Sequence, residues 1–148
     1  RERSTFGMSS DMIKLYQSFP TLNPGQFRQV MKKAKWVVAP EKTEICTQGV
    51  QPDHLCLLTA GSVELLRNGR SVPLGPGNFL GEISFLMDGP ATASVIAPKG
   101  SEYVRWKRSD LTALMEKSLK LSNALSALFN KDIAGKLAVS WPEMPDDA

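Results

Sequence analysis

The spacing of apolar residues changes twice along this chain. Near the amino terminus they recur every three or four positions, as on one face of a helix, at Met12, Leu15, Tyr16, Phe19, Phe27, Val30 and Met31. The same spacing returns near the carboxyl terminus, at Leu111, Leu114, Met115, Leu121, Leu125, Leu128, Phe129, Ile133 and Leu137. Between them the apolar runs are short and interrupted by glycine and proline. The pattern predicts helices at both ends and a β-rich middle.

The middle of the chain divides into short strands separated by turns. We predict strands at 36–38, 44–46, 54–59, 62–67, 71–74, 92–97 and 102–107. Asn68-Gly69 is typical of a two-residue hairpin, and Pro76-Gly77 favours another turn. Many short strands at this spacing indicate a sandwich, a barrel or a jelly roll.

Capping residues suggest where two of the helices begin. Asn23 followed by Pro24 is typical of an N-cap with proline at the first helical position. Ser109-Asp110 predicts the start of the carboxyl-terminal helices. The residues after Trp141 are acidic and broken by proline, so we expect them to fray. We divide the chain into a basic segment with helices (1–35), a β-roll (36–108), lid helices (109–138) and an acidic tail (139–148).

The composition is that of a folded domain with few metal-binding residues. Of the 148 residues, 42% are hydrophobic and 22% are charged, which excludes a disordered chain. No apolar run approaches the ~20 residues that span a bilayer. The single histidine, His54, excludes a histidine-cluster metal centre. Two cysteines, Cys46 and Cys56, make no disulfide framework and indicate reduced thiols in a cytoplasmic protein.

Charge is more segregated than the net value of +3 suggests. That net value is too small to indicate a nucleic-acid partner. However, residues 1–36 hold seven Lys or Arg and two acids. Lys32, Lys33 and Lys35 form either a solvated helix face or a segment close to an anionic membrane, where each basic residue contributes ~1 kcal/mol. A first residue that is not methionine, Arg1, leads us to expect a fragment of a longer protein.

The segment 75–97 carries the candidate chemistry, because its pattern predicts a strand, a glycine turn, a short helix and a second strand. Gly81 allows the backbone to turn tightly or to approach a ligand. The helix Glu82–Met87 begins with free N–H groups, which favour an anion. Glu82 at the same end can accept a hydrogen bond from a sugar hydroxyl. A phosphate on the helix end and a ribose on the carboxylate form a coherent pair.

This segment resembles the phosphate-binding cassette of cyclic nucleotide-binding domains. The family pattern is Phe-Gly-Glu, two or three apolar residues, then Pro-Arg-x-Ala-Ser/Thr-Val. The matching residues in this chain are Phe79-Leu80-Gly81-Glu82 and Pro90-Ala91-Thr92-Ala93-Ser94-Val95. Gly49 and the run 54–64 resemble the strand–glycine–strand block upstream of the cassette. The resemblance covers residues 36–137. It implies a mainly β fold with flanking helices, a double-stranded β-helix or jelly roll of about eight strands, and no enzymatic activity.

The resemblance implies a regulatory domain that senses cyclic AMP or cyclic GMP. It assigns the nucleotide to Gly81, Glu82, Ile83, Ser84, Ala91, Thr92, Ala93 and Ser94. Ser94 would donate to a phosphate oxygen and Thr92 to guanine, although both also suit an ordinary strand. We interpret Ser84 also as a cap of its own helix and Ile83 also as core. The resemblance implies no metal and no cofactor other than the nucleotide ligand.

Ala91 departs from the family pattern, in which an arginine at this place holds the cyclic phosphate. A charge-assisted hydrogen bond contributes ~1.5–3 kcal/mol, so its loss weakens binding roughly 10- to 150-fold. Binding is therefore weaker, unless another cation such as Lys99 or Arg105 takes the place of the arginine. Two functions stay open: weaker nucleotide sensing, or a ligand-free interaction or oligomerisation module. A cassette pocket filled by the protein's own side chains would be the sign of the second.

A second resemblance concerns the carboxyl-terminal part. Residues 125–137 and the run Tyr103-Val104-Arg105-Trp106-Lys107-Arg108 are similar to the end of the Popeye domain. Popeye proteins are membrane proteins with a cytoplasmic cyclic-AMP-binding domain, so this likeness implies a membrane tether through a preceding segment. The Popeye motif Asp-Ser-Pro-Glu is absent. The apolar stripe at 125–137 is suited to burying the ligand, the core or a second subunit, and a homodimer through this helix is one of those three alternatives.

Two other classes of protein are disfavoured. A transcription factor of the catabolite-activator type needs a helix-turn-helix after the roll, and few residues follow Leu137, so we expect no nucleic-acid partner. A cupin-like enzyme needs several histidine and glutamate metal ligands, which one histidine cannot supply.

Overall fold

The computed structural model describes residues 10–137. Within that range there are five helices and eight strands, namely α1 (Ser10–Tyr16), α2 (Pro24–Met31), β1 (Lys35–Val38), β2 (Thr43–Cys46), β3 (His54–Ala60), β4 (Val63–Arg67), β5 (Arg70–Leu74), β6 (Phe79–Leu80), α3 (Glu82–Met87), β7 (Ser94–Ala97), β8 (Glu102–Lys107), α4 (Arg108–Lys117) and α5 (Leu119–Leu137). The acidic tail at 139–148 and the basic residues before Ser10 lie outside the described residues. No helix between residues 10 and 137 combines the length and the apolar character needed to cross a membrane.

The strands form two antiparallel sheets, in the orders β1-β8-β3-β6 and β2-β7-β4-β5. One core lies between the two sheets and includes Cys56, Leu58, Val63 and Tyr103. A second core lies between the other face of the first sheet and the helices. The predicted fold class, mainly β with flanking helices in a jelly roll, is therefore confirmed.

Helix α5 packs along the first sheet through its apolar stripe. Leu121, Leu125, Leu128 and Phe129 are each at most 3% exposed. The ring of Phe129 meets Phe79 of β6 and Phe85 of α3 edge to face, with centroids 5.5 and 5.6 Å apart. Of the three uses left open for this stripe, the described part of α5 shows burial in the chain's own core. The same packing holds the last turns of α5 beside the cassette.

Two local predictions are confirmed in atomic detail. Asn23 Oδ1 accepts a hydrogen bond from the Gln26 amide at 2.8 Å, and Gln26 Oε1 accepts one from the Asn23 amide at 2.9 Å, which closes a capping box at the start of α2. Asn68 and Gly69 have φ values of 51° and 80°. Both residues are left-handed, as a two-residue hairpin between β4 and β5 requires.

Three predictions of element boundaries were wrong. The two-residue strand β6 was missed, because it is too short to show a period of its own. Strand β7 begins at Ser94 rather than at residue 92, since Ala91 forms an isolated bridge with Gln48 instead. Ser109-Asp110 does not cap α4: the helix begins at Arg108 without a side-chain cap, and the Arg108 amide donates to the Asp53 carbonyl at 2.8 Å.

Candidate functional site

A left-handed glycine introduces the cassette helix. Gly81 precedes α3 with φ of 92°, a conformation that L side chains rarely adopt. A Cβ at this position would lie 3.4 Å from the His54 carbonyl oxygen and 3.8 Å from Cys46 Sγ. The turn leaves Glu82 as the first residue of α3, and its side chain is only 2% exposed.

Lys136 in the last turn of α5 reaches this buried carboxylate. Its ammonium donates to Glu82 Oε2 and to the carbonyl oxygen of Phe79. The same nitrogen lies 2.9 Å from Oδ2 of Asp132, one turn earlier in α5. An ion cluster of two carboxyl groups and one ammonium therefore ties α5 to the cassette.

The cluster holds a proton near neutral pH. Burial and, after it, the hydrogen bond and charge of Asp132 raise the pKa of Glu82 to about 8, although the ammonium of Lys136 opposes them. Two carboxyl groups share one ammonium, which compensates a single negative charge. A second negative charge is unfavourable, so one of the two carboxyl groups retains its proton. Asp132 is more exposed than Glu82, with side chains 13% and 2% exposed. We therefore place the proton on Glu82.

The cavity beside the cassette is small because Lys136 enters it. Its volume is about 50 Å³, far below the ~300–1,000 Å³ of small-molecule sites. Among its lining residues, all within the described range, Lys136 is the only cation.

A larger cleft of about 540 Å³ adjoins this cavity, between the β4–β5 hairpin and α5. Leu65, Val72 and Leu74 line one side, and Leu128 and Asp132 line the other. Leu65 and Lys136 line both spaces. The cassette cavity and the cleft therefore adjoin at Leu65 and Lys136, and we refer to the two together as the groove.

The structure brings seven of the eight predicted site residues to the cassette cavity: Gly81, Glu82, Ile83, Ser84, Ala91, Thr92 and Ala93. Ser94 does not line it, since its hydroxyl accepts a hydrogen bond from the Gln48 amide at 2.9 Å. The Ser84 hydroxyl donates to the Gly89 carbonyl after the helix instead of capping the start of α3. The interpretation of Ile83 as core was wrong: it is half-buried and faces the cavity.

The position that holds arginine in the family pattern is occupied by a methyl group. Ala91 is 7% exposed and belongs to the core between the sheets. Its amide donates to the Val50 carbonyl and its carbonyl accepts from the Gly49 amide, both at 2.9 Å. The backbone of the cassette is therefore held in place without the arginine.

Neither cation predicted to replace the arginine reaches the cavity. Lys99 is exposed in the turn after β7, and Arg105 lines a different cleft. Sequence reasoning missed Lys136, the cation that does reach it. The available signal was the opposite charges of Asp132 and Lys136, four residues apart on a helix, but nothing local shows that α5 lies over the cassette.

The chain is similar in sequence to two curated proteins. A cyclic AMP receptor protein from Thermus thermophilus is 33% identical over 95 residues, covering 60% of this chain and 44% of that one. A cAMP-dependent protein kinase regulatory subunit from Yarrowia lipolytica is 29% identical over 80 residues, covering 53% and 21%. The chain thus spans less than half the length of these curated relatives.

A crystal structure of a cyclic nucleotide-binding domain from Methylobacillus flagellatus superposes with a TM-score of 0.72. It is 21% identical, and the match covers 93% of this chain and 90% of that one, so it supports the fold. These relatives give no support to the Popeye likeness, which stays a prediction. The sequence profile described as "Cyclic nucleotide-binding domain" matches residues 36–118, and this chain therefore belongs to the cyclic nucleotide-binding domain family.

Proposed function

We propose that this domain is a regulatory, non-enzymatic module that binds a cyclic nucleotide, cyclic AMP or cyclic GMP, in the groove between the cassette and α5. The observation that carries the proposal is the buried carboxyl of Glu82, placed where the cassette cavity opens into a cleft of about 540 Å³. The apolar walls of the cleft suit a nucleobase, and the carboxyl suits a ribose hydroxyl. A curated relative is named a cyclic AMP receptor, which favours cyclic AMP.

Lys136 supplies the cation that the cassette lacks in this proposal. Glu82 Oε2 accepts from the ammonium in the unliganded groove, and a ribose hydroxyl that takes this oxygen displaces the ammonium. The displaced ammonium keeps Asp132 as a partner at 2.9 Å, but it has lost the oxygen of Glu82 and belongs to a side chain only 17% exposed, so a further acceptor nearby is favourable. The cyclic phosphate beside the same carboxyl provides one.

This exchange of partners gives the ligand a means of regulation. Lys136 lies in α5, so a nucleotide that separates it from Glu82 changes what holds α5 against the cassette. A ligand shifts a conformational equilibrium only by interacting differently with the two states. The contact from phosphate to Lys136 is such a differential interaction.

A second candidate function is a ligand-free interaction module. It is favoured by the 50 Å³ cavity, which the protein's own Lys136 side chain fills, and by the methyl group of Ala91 in place of arginine. In that case the pair of Glu82 and Lys136 is a permanent tie between α5 and the cassette. Titration with nucleotide separates the two candidates.

The test is isothermal titration of the purified chain with cyclic AMP and, separately, with cyclic GMP. We expect saturable binding by the unmodified chain and a loss of at least tenfold in affinity for Glu82→Ala, since a buried hydrogen-bonding acid is removed. Glu116→Ala is the matched control, because Glu116 is exposed on α4 and lines none of the described cavities. Absence of heat with both nucleotides, for protein shown to be folded by circular dichroism, would leave the interaction module as the answer.

A further inference from the structure

A second concave surface carries a concentration of positive charge. It encloses about 320 Å³ and shares no lining residue with the groove at the cassette. We call this surface the basic cleft. Its basic residues are Lys32, Lys33, Lys35, His54, Arg105 and Lys107. Asp110 is the one acidic residue among the lining side chains, which all lie within residues 10–137.

The sheet register assembles this charge from three neighbouring strands. Lys35 of β1 lies opposite Arg105 of β8, and His54 of β3 lies opposite Lys107 of β8. Lys32 and Lys33 follow the last turn of α2 and add two further ammonium groups. Like charges directly opposite each other on a sheet are destabilising. The arrangement therefore favours an anion that lies between them.

Two groups in the basic cleft show that residues 10–137 leave part of its charge uncompensated. The Nε of Arg105 is buried and has no hydrogen-bond partner, and such groups in folded proteins call for an explanation. The pKa of His54 is lowered by burial first, then by the positive charges of Arg105 and Lys107, with Asp53 opposing. The acids near the cleft, Asp53 and Asp110, are outnumbered by its five cations.

We propose that the basic cleft is a second ligand site, which binds a phosphate group. Ammonium and guanidinium groups converging on one concavity match the oxygens of a phosphate, which accept several charge-assisted hydrogen bonds at once. The phosphate belongs either to a soluble polyphosphate or to the headgroup of an anionic lipid. A cluster of basic residues also attracts the headgroups of anionic lipids, which makes the lipid source a necessary arm of the test.

His54 is the only histidine of the chain, so its ring resonances report on the cleft without assignment of the whole spectrum. Inorganic pyrophosphate, added to the 148-residue chain at constant ionic strength, should shift these resonances with saturation. The pKa of His54 should rise at the same time, because the bound anion offsets the charges of Lys32, Lys33, Lys35, Arg105 and Lys107 that face the ring together with Asp53 and Asp110. Because the His54 backbone lies beside Gly81 of the cassette, the rise in the pKa of the His54 ring, rather than a resonance shift alone, distinguishes binding in the cleft.

The matched variants test whether the effect belongs to the cleft or to net charge. Lys35→Gln with Lys107→Gln removes two exposed cations of the cleft and should weaken binding at least tenfold. Lys42→Gln with Lys99→Gln removes the same charge from exposed positions outside the described cavities and should leave binding unchanged. Equal losses in both double variants would overturn the proposal.

The lipid arm uses co-sedimentation with vesicles of phosphatidylcholine alone and of phosphatidylcholine mixed with phosphatidylserine. Binding to the mixed vesicles that is lost in the cleft variant and kept in the control assigns the phosphate to a lipid headgroup. Saturable pyrophosphate binding without vesicle binding assigns it to a soluble polyphosphate. If neither pyrophosphate nor vesicles bind, or if vesicle binding is unchanged by the substitutions of Lys35 and Lys107, the cleft is an ordinary solvated surface.

Discussion

Replacing Lys136 by methionine should destabilise the folded domain, and the loss should depend on pH. The substitution keeps the stem of the side chain but leaves Glu82, 2% exposed, and Asp132, 13% exposed, without their shared cation. Removing one partner of a buried ion pair costs about 3–5 kcal/mol. Since a carboxyl group escapes this cost by taking up a proton, we expect that loss at pH 8 and a clearly smaller one at pH 5.

The assay is urea unfolding followed by far-ultraviolet circular dichroism at both pH values. Lys120→Met is the control, because Lys120 is an exposed lysine of α5 that lines none of the described cavities. Adding Asp132→Asn to Lys136→Met should recover stability at pH 8, because Glu82, whose raised pKa favours the neutral form, is then left without a carboxylate neighbour. A loss that is the same at both pH values, or that matches the change of about 0.5 kcal/mol typical of surface positions, would refute the buried ion cluster.

Three further outcomes follow from the same structure. Glu82→Gln should flatten the pH dependence of the melting temperature. Between about pH 4.5 and pH 8, Glu82 keeps a proton in the folded chain that it has released in the unfolded chain. The stability of the unmodified chain therefore falls as the pH rises through this window, by at most about 1.4 kcal/mol per pH unit. Gly81→Ala should cost about 1–2 kcal/mol in urea unfolding because φ is 92° there, whereas Gly135→Ala, with open space around a helical glycine, should stabilise by roughly 0.5–1 kcal/mol; equal effects would contradict this. Burial raises the pKa of Cys46 to about 11 and raises that of Cys56 as well, so a thiol reagent should label neither in the native chain at pH 8 and both after unfolding; rapid native labelling would contradict their burial.

The fold was predictable because its signals are local. Asn68-Gly69 fixes a hairpin, Asn23 with Gln26 closes a helix start, and Gly81 before Glu82 forms a turn, each within a few residues. Most of the cassette could be predicted for the same reason, since its residues follow one another between positions 79 and 93. Local signals failed at β6, which is too short to show a period, at the first residue of β7, and at the start of α4, where Ser109-Asp110 is not the cap.

The charged part of the site could not be predicted, because it depends on contacts between distant elements. Lys136 meets Glu82 only because Phe129 packs α5 on Phe79 and Phe85, and no spacing in the sequence shows that packing. Arg105 was a reasonable candidate for the missing cation until the register placed it opposite Lys35, in the basic cleft. Tertiary packing and strand register decided which cation reaches the cassette.

In the proposed function, Lys136 is the phosphate-binding cation of a cassette that has none of its own. Calorimetric titration of the unmodified chain, Lys136→Met and Lys120→Met with cyclic AMP tests this role. We expect saturable binding by the unmodified chain and by Lys120→Met, and binding roughly 10- to 150-fold weaker by Lys136→Met. Equal or tighter binding by Lys136→Met would contradict it, because the lysine would then be a bystander or a competitor that blocks the groove.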